Sequence, residues 1–276
     1  MGRKNFYSYN GEKNNDARRR TRRNRTEACR ISERNMLKTV AIIPCRYAST
    51  RLPGKPLRRI ADRTLIHHIY ENVSNTQLFE EVIVATDDER IFKEVESFNG
   101  KVVISDKGHL SGSDRVAEIA RSIDADIVVN IQGDELFLGK KELSELLECF
   151  QENSTSIATL AHPLCDEAEI SNPNRVKVIC DKESNAIYFS RSVIPYFRSD
   201  EKFNYLGHIG VYAFRKNALL KFAELPQSKL EKAEKLEQLR LLENGIRIRV
   251  IITDYQGFGI DTGDDLLEAE KLLQNI

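Results

Sequence analysis

Long apolar runs are missing from this chain of 276 residues. No run approaches the roughly 20 consecutive apolar residues that a membrane-spanning helix needs, so we expect a protein without membrane helices. The basic N-terminal segment is not followed by an apolar stretch, and we therefore expect no secretory signal peptide. With 41% hydrophobic and 30% charged residues, the composition is typical of a soluble globular protein.

Cysteine pairs and common nucleotide-binding signatures are also missing. The five cysteines are an odd number, form no CxxC pair and have no histidine at zinc-finger spacing. This pattern favours a reducing cytoplasm and argues against a structural zinc site. Neither GxxxxGK[ST] nor GxGxxG occurs in the chain, so a P-loop and a classical dinucleotide-binding turn are excluded.

A net charge is missing from the chain as a whole, but its two parts are unequal. Residues 1–36 hold eleven Lys and Arg against four Asp and Glu, and the remainder holds 31 against 38, so +7 is balanced by −7. The segment 17–25 reads ARRRTRRNR, and residues 1–36 show no hydrophobic periodicity. We expect residues 1–36 to be a disordered basic arm or a non-native extension, and residues 37–276 to form the folded domain. RNA binding by the arm stays open as an alternative, since arginine-rich segments can fold on a phosphate backbone.

From residue 38 onward, short apolar runs alternate with segments of helical periodicity. Continuous apolar runs at 39–44, 82–86 and 126–131 predict strands that are buried on both faces. The sequence therefore predicts an α/β fold with a mostly parallel sheet, helices on both faces and a β-rich insertion in the second half. Ligands of such sheets bind beyond the carboxyl ends of the strands.

In the second half, residues 229–244 have the periodicity of one helix that ends at Asn244-Gly245. Its glutamates alternate with lysines three or four residues apart, which predicts a largely solvent-exposed charged face. Glu237 and Gln238 are the part of this segment that we expect to face a polyhydroxylated ligand.

The loop after the first strand carries three cations. Arg46, Arg51 and Lys55 alternate with hydroxyl residues such as Ser49 and with Gly54. Cations, hydroxyls and free backbone N–H groups together are what a triphosphate needs. The alternative is a solvated basic loop without a ligand.

Two carboxylates follow apolar strands, Asp134 in QGDE and Asp261 in GIDT. Brought together, they would offer Mg²⁺ the hard oxygen ligands that it prefers. For each of them the alternative is a helix N-cap, a position that aspartate favours. Arg191 and His208 lie near strand ends, where each is able to bind an anionic substrate, although a lone histidine beside a strand is more often structural.

Read together, nine motifs occur in one order over residues 38–273, and this region resembles the 3-deoxy-manno-octulosonate (Kdo) cytidylyltransferase family. The motifs are IIPCRYASTRLPGKPL, VATDDERI, SGSDRVAE, NIQGDE, NPNRVKVICD, AIYFSRSVIP, LGHIGVYAF, AEKLEQLRLLENG and GIDTGDDL.

The resemblance implies a Rossmann-like nucleotide-diphospho-sugar transferase fold with a β-rich dimerisation insertion, in a Mg²⁺-dependent cytoplasmic homodimer. The implied reaction converts CTP and Kdo into CMP-Kdo and pyrophosphate for lipopolysaccharide biosynthesis. Each matching position then has an implied role: CTP binding for Arg46, Ser49, Arg51, Lys55 and Gln132; metal binding for Asp134 and Asp261; sugar binding for Arg191, His208, Glu237 and Gln238. Arg46, Arg51, Lys55, Asp134 and Asp261 are the implied catalytic set.

Two alternatives stay open. A sibling enzyme acting on 8-amino-Kdo or on a sialic-acid type of sugar would share the CTP loop and the metal aspartates. A non-catalytic RNA- or nucleotide-binding protein would instead use the basic arm as its working part.

We predict that deleting residues 1–36 leaves turnover close to that of the full chain, because the resemblance begins only at residue 38. Steady-state pyrophosphate release by both forms checks this, and a large drop would show that the arm belongs to the active unit. Loss of salt-sensitive RNA retention on the same deletion would support the RNA-binding alternative.

Overall fold

A nine-stranded sheet forms the centre of the computed structural model, which describes residues 37–48, 52–109, 111–199, 203–260 and 262–274. Seven strands follow the path β11-β7-β10-β6-β1-β4-β5, and β8 and β9 form a hairpin attached to β10. The strands within the described residues are β1 (Thr39–Cys45), β2 (Arg59–Ile60), β3 (Arg63–Thr64), β4 (Glu81–Thr86), β5 (Val102–Ile104), β6 (Ile127–Asn130), β7 (Ile157–Leu164), β8 (Lys177–Cys180), β9 (Ala186–Ser190), β10 (Tyr205–Arg215) and β11 (Arg249–Ile252). β2 and β3 pair separately as a small hairpin.

Most pairs along the central path are parallel. β1 pairs in parallel with β4 and β6, β4 pairs with β5, and β11 pairs with β7. β10 is antiparallel to both β6 and β7. The predicted mostly parallel α/β sheet is confirmed, and β8 and β9 pair antiparallel in the second half, where the β-rich insertion was predicted.

Helices flank the sheet, and their ends follow the capping residues of the sequence. Thr64, Asp88 and Ser111 each accept a backbone N–H at the start of α1, α2 and α3. The helices are α1 (Leu65–Asn75), α2 (Glu89–Ser97), α3 (Gly112–Arg121), α4 (Lys140–Glu148), α5 (Glu167–Ser171), α6 (Lys216–Glu224), α7 (Lys229–Glu234), α8 (Leu239–Glu243) and α9 (Gly263–Leu273), and short 3-10 turns cover Lys55–Leu57 and Cys149–Gln151.

The helices that follow Asp134 and Asp261 have other residues at their N-caps. Thr262 caps α9 through a capping box with Asp265, and Gly139 is the N-cap residue of α4. Asp134 therefore caps no helix, and the cap of α9 is a different residue from Asp261. Asp261 itself lies outside the described residues.

The single helix predicted over 229–244 is wrong. The chain forms two short helices, α7 and α8, because Lys235 adopts a left-handed backbone conformation with φ of 55°. The end at Asn244-Gly245 is confirmed, since Gly245 has φ of 68° and its N–H donates to the carbonyl of Leu242.

The largely solvent-exposed charged face predicted for the same segment is only partly correct, because Lys229, Lys232 and Lys235 are exposed while its first three glutamates are buried or partly buried. Glu231 and Arg240 are buried and form a two-pronged ion pair, with N–O distances of 2.6 and 2.9 Å. Glu234 accepts hydrogen bonds from the Ser190 hydroxyl and the Arg191 N–H. Both carboxylates therefore point into the protein, where each one finds a donor.

Residues 38–276 form one compact unit. Among the residues that the structure describes, no helix is long and apolar enough to cross a membrane. The basic arm 1–36 lies outside these residues, so its disorder and its RNA-binding alternative stay predictions, as does the cytoplasmic location.

We predict that Glu231→Gln lowers the free energy of unfolding by about 3 kcal/mol, because it leaves the buried Arg240 guanidinium without its full counter-charge. Asp254→Asn is the matched control, since Asp254 pairs with Lys141 at 3.4 Å while its own side chain is 97% exposed. The control should change stability by less than about 0.5 kcal/mol. Urea denaturation checks both, and equal small effects would contradict a stabilising role for the buried pair.

Candidate active site

An ion pair lies at the carboxyl edge of the sheet, where β1 and β6 end. The Nζ of Lys55 is 2.8 Å from Oδ2 of Asp134 and donates to the carbonyl of Ile260 at 2.7 Å. Both charged side chains are largely covered, with 14% of Lys55 and 29% of Asp134 exposed. Two of the residues predicted from separate motifs are therefore brought into direct contact.

Tyr47 contacts both Gly54 in the cationic loop and the Arg90 side chain. Gly54 has φ of 67°, and its N–H donates to the Tyr47 carbonyl at 3.0 Å. A Cβ at Gly54 would lie 3.0 Å from the Tyr47 ring, so only glycine fits there without displacement. The Arg90 guanidinium lies 3.3 Å from the Tyr47 ring centroid. Ser49 and Arg51 fall between the two ends of the loop and lie outside the described residues, so their roles stay predictions.

A small polar pocket lies beside this loop, with Arg46 and Gln132 among its lining residues. Arg115 lines it too, and its buried guanidinium pairs with Asp87 at 3.0 Å. No role was predicted for Arg115 from the sequence. The signal was available in SGSDR, which begins α3 at the edge where the strands end.

A chain of hydrogen bonds leads from Gln132 to Glu237. The side-chain amide of Gln132 donates to the side-chain oxygen Oδ1 of Asn130 at 3.4 Å. The side-chain amide nitrogen of the fully buried Asn130 donates in turn to the Ser113 hydroxyl at 3.1 Å. The Ser113 hydroxyl donates to Glu237 at 2.6 Å. Two predicted ligand residues, one for the nucleotide and one for the sugar, are thus connected through the ends of β6 and α3.

Burial raises the pKa of Glu237 above its ordinary value, and the hydrogen bonds from Ser113 and Ser111 oppose that rise. Burial, together with the charge of Glu237, raises the pKa of the Tyr212 hydroxyl. The Glu237 carboxyl therefore sits among hydrogen-bonding groups in a poorly solvated region, as expected of a side chain that holds a ligand hydroxyl.

His208 lies on the same region of the sheet but serves the framework in this state. Its Nε2 is 3.0 Å from the Thr159 hydroxyl, and its ring packs edge-on against Phe189. Burial lowers the pKa of His208 to about 3, so the imidazole is neutral at physiological pH. A neutral ring is able to donate or accept a hydrogen bond from a sugar hydroxyl but brings no positive charge to a carboxylate.

Arg191 follows β9, and Gln238 precedes α8. Two nitrogens of the Arg191 guanidinium donate to the carbonyls of Glu234 and Pro173, at 2.8 and 3.1 Å. Gln238 is 5% exposed and is the N-cap residue of α8. The described contacts of Arg191 hold protein segments together.

A second carboxyl lies next to Asp134. Glu135 is buried, and the desolvation together with the charge of Asp134 raises its pKa to about 7. The Tyr255 hydroxyl donates to Glu135 Oε2 at 3.3 Å and opposes this shift. Neither Glu135 nor Tyr255 was predicted from the sequence to be a site residue.

Of the two carboxylates predicted to bind a divalent cation, only Asp134 belongs to the described residues. Asp134 offers a partly exposed carboxylate, which suits Mg²⁺. No group of three or more His, Cys, Asp and Glu able to hold a metal occurs among the residues with described positions.

Comparisons with known proteins bear directly on this site. A family model described as Cytidylyltransferase matches residues 40–248. The 3-deoxy-manno-octulosonate cytidylyltransferase of Flavobacterium johnsoniae is 48% identical over 244 residues, covering 87% of this chain and 100% of that protein. This chain belongs to the 3-deoxy-manno-octulosonate cytidylyltransferase family. The family member of Bacteroides thetaiotaomicron is 47% identical, over 87% of this chain and 99% of its own length.

A solved structure agrees with the family assignment. The structure of CMP:2-keto-3-deoxy-manno-octonic acid synthetase complexed with CTP has a TM-score of 0.82 and 41% identity, and the match covers 86% of this chain and 99% of that one. The 4-diphosphocytidyl-2C-methyl-D-erythritol synthase of Anaerococcus prevotii, at 18% identity and a TM-score of 0.58, shares the fold. The predicted fold class and the predicted family are both confirmed.

We predict that Ser113→Ala raises the pKa of Glu237 further, because the substitution removes a donor that favours the ionised carboxylate. A titration of the Glu237 carboxyl carbon by ¹³C NMR measures the shift. Ser122→Ala is the control, since its hydroxyl donates only to the Ile119 carbonyl within α3's last turn. An unchanged or lowered Glu237 pKa in Ser113→Ala would contradict the hydrogen-bond chain.

Proposed function

We propose that this chain transfers CMP from CTP to the anomeric 2-hydroxyl of Kdo, releasing pyrophosphate, in lipopolysaccharide biosynthesis. The observation that supports it most is the contact between Lys55 and Asp134, which joins a cation suited to phosphate with a carboxylate suited to a metal. Family membership supports the choice of CTP and of the sugar acid.

The chemistry forms a bond between the anomeric oxygen and the α-phosphorus and breaks the α–β phosphoanhydride bond. Negative charge grows on the leaving pyrophosphate, and fixed cations at that position lower the barrier. We assign this role to Lys55 with Arg46 and Arg51. The hydroxyl proton leaves to solvent in this scheme, since no general base is assigned.

We propose that Asp134 and Asp261 hold Mg²⁺. When bound, the ion would neutralise charge on the phosphate oxygens. Support comes from Ile260, the residue before Asp261, whose N–H donates to the Asp134 carbonyl at 3.2 Å. The Asp134 carboxylate, now paired with Lys55, is the group that would exchange an ammonium for a metal as CTP binds.

For the sugar acid we propose Arg191, His208, Glu237 and Gln238. In this proposal Glu237 accepts a sugar hydroxyl, and because His208 is neutral the sugar carboxylate needs a cation such as Arg191 or the metal. Gln132 at the pocket would meet the nucleoside, and its connection to Glu237 through Asn130 and Ser113 would place the two substrates against each other.

We also propose a homodimer through the β8–β9 region. Large apolar side chains are exposed there, and Tyr196 is exposed over 87% of its surface. An apolar surface of this kind favours a protein interface. The further members of the surface are Ile187, Val193, Phe197 and Phe203.

The substrate assignment is tested by incubating purified protein with CTP, Mg²⁺ and each of three sugar acids: Kdo, 8-amino-Kdo and a sialic acid. We expect pyrophosphate release to be fastest with Kdo. Release with 8-amino-Kdo or the sialic acid alone would select a sibling enzyme, and no release with any sugar would contradict the catalytic proposal.

We predict that Asp134→Asn and Lys55→Ala each lower kcat by at least about a hundredfold, because each removes charge that acts on the triphosphate in the transition state. Asp261→Asn should have a similar effect. Circular dichroism and the melting temperature check that the fold is kept, and Asp254→Asn serves as the exposed-carboxylate control. Near-normal kcat in Asp134→Asn would refute the metal assignment.

A further inference from the structure

The segment 255–260 connects β11 to α9 and lies across the Lys55–Asp134 pair. It forms no helix, and it pairs with the turn after β6 through an isolated antiparallel bridge between Gly259 and Glu135. A connection of this length depends on side-chain contacts for its position, because it has few backbone hydrogen bonds of its own.

Tyr255 supplies the contact at the start of the segment. Its hydroxyl donates to Oε2 of the buried Glu135 at 3.3 Å and accepts the N–H of Phe258 at 3.1 Å. The Tyr255 hydroxyl therefore holds both the Glu135 carboxyl, next to Asp134, and the backbone in the middle of the segment. Arg175 adds a hydrogen bond to the carbonyl of Gly257 at 3.3 Å.

The far end of the segment contacts the proposed catalytic groups. The Ile260 N–H donates to the Asp134 carbonyl at 3.2 Å, while the Ile260 carbonyl accepts from Lys55 Nζ at 2.7 Å. The same Nζ is bound to Asp134. The Ile260 carbonyl thus orients the ammonium, and its own position depends on how the segment is held.

We propose that Tyr255 is a positioning residue for the nucleotidyl transfer, which acts by fixing the 255–260 segment so that the Ile260 carbonyl aims the Lys55 ammonium. The inference rests on the proposed function for the role of Lys55. Neither Tyr255 nor Glu135 touches the substrates in this scheme. A misplacement of about 1 Å in a group that acts on the transition state is enough to cost a large factor in rate.

Tyr255→Phe tests the proposal, because it keeps the ring and removes only the hydroxyl. Tyr70→Phe is the matched control, since the Tyr70 hydroxyl accepts the Lys101 N–H at 3.0 Å on the opposite end of the sheet. We expect Tyr255→Phe to lower kcat about tenfold with an unchanged KM for the sugar acid. Calorimetry with CTP and Mg²⁺ in the absence of sugar should show CTP binding about fivefold weaker.

A purely structural role makes a different prediction. It would lower the melting temperature of Tyr255→Phe and Tyr70→Phe alike and leave kcat and CTP affinity at the wild-type values, which would overturn the proposal. Failure of the wild type to release pyrophosphate with any sugar would count against the proposed function alone, because the CTP affinities still decide whether Tyr255 acts on the Lys55 site.

The partner of Tyr255 gives a second test. Glu135→Leu removes the acceptor, and the double variant with Tyr255→Phe should bind CTP no more weakly than the weaker single variant, since Tyr255→Phe already removes the hydrogen bond that Glu135→Leu removes. Additive losses would show that the two residues act independently and would contradict the mechanism. If Glu135→Leu does not fold, the comparison of Tyr255→Phe with Tyr70→Phe decides.

Discussion

The contact between Lys55 and Asp134 is the interaction on which the rest of the site depends. It joins the loop after β1, the turn after β6 and, through the Ile260 carbonyl, the connection to α9. Because the pair is largely covered, its charges are already held in place before any ligand arrives. In the proposed function each side chain would exchange its partner when CTP binds, Lys55 for the triphosphate and Asp134 for a metal, and both already lie at the edge where charge develops.

The second feature of the site is that its nucleotide side and its sugar side are physically connected. Asn130 and Ser113 lie between Gln132 and Glu237 and connect them through side-chain hydrogen bonds. The parallel strands bring their carboxyl ends to one edge, while α3 and the α7–α8 corner close that edge from the other side. The chain breaks at Lys235 within this corner, and Glu231, Glu234 and Glu237 on either side of the break all have partners inside the protein.

Much of this was predictable from the sequence, for identifiable reasons. The buried strands are continuous apolar runs such as AIIPC, which cannot face water on either side, and the helix starts carry Thr, Asp or Ser caps. Asp134 and Lys55 were predicted because each follows a strand at the ligand-binding edge. The sugar residues were singled out only as candidates from their positions near strand ends or on one helical segment, and their assignment to a sugar acid needed the family resemblance.

What the sequence did not reveal depends on contacts between distant segments. A positive φ at Lys235 has no local signal, because the residue types around it favour a continuous helix. The pairing of Arg115 with Asp87 and of Tyr255 with Glu135 joins residues that come together only in the folded sheet. These partners decide which charges are buried, and therefore which side chains act on a ligand and which hold the frame.

The most direct test of the account is a crystal structure of the protein with CTP, Mg²⁺ and Kdo. The account predicts that Lys55 Nζ contacts the triphosphate, that Asp134 binds the metal, and that Glu237 lies against a sugar hydroxyl. A metal bound away from Asp134, with Lys55 still paired to that carboxylate and no contact to phosphate, would contradict it.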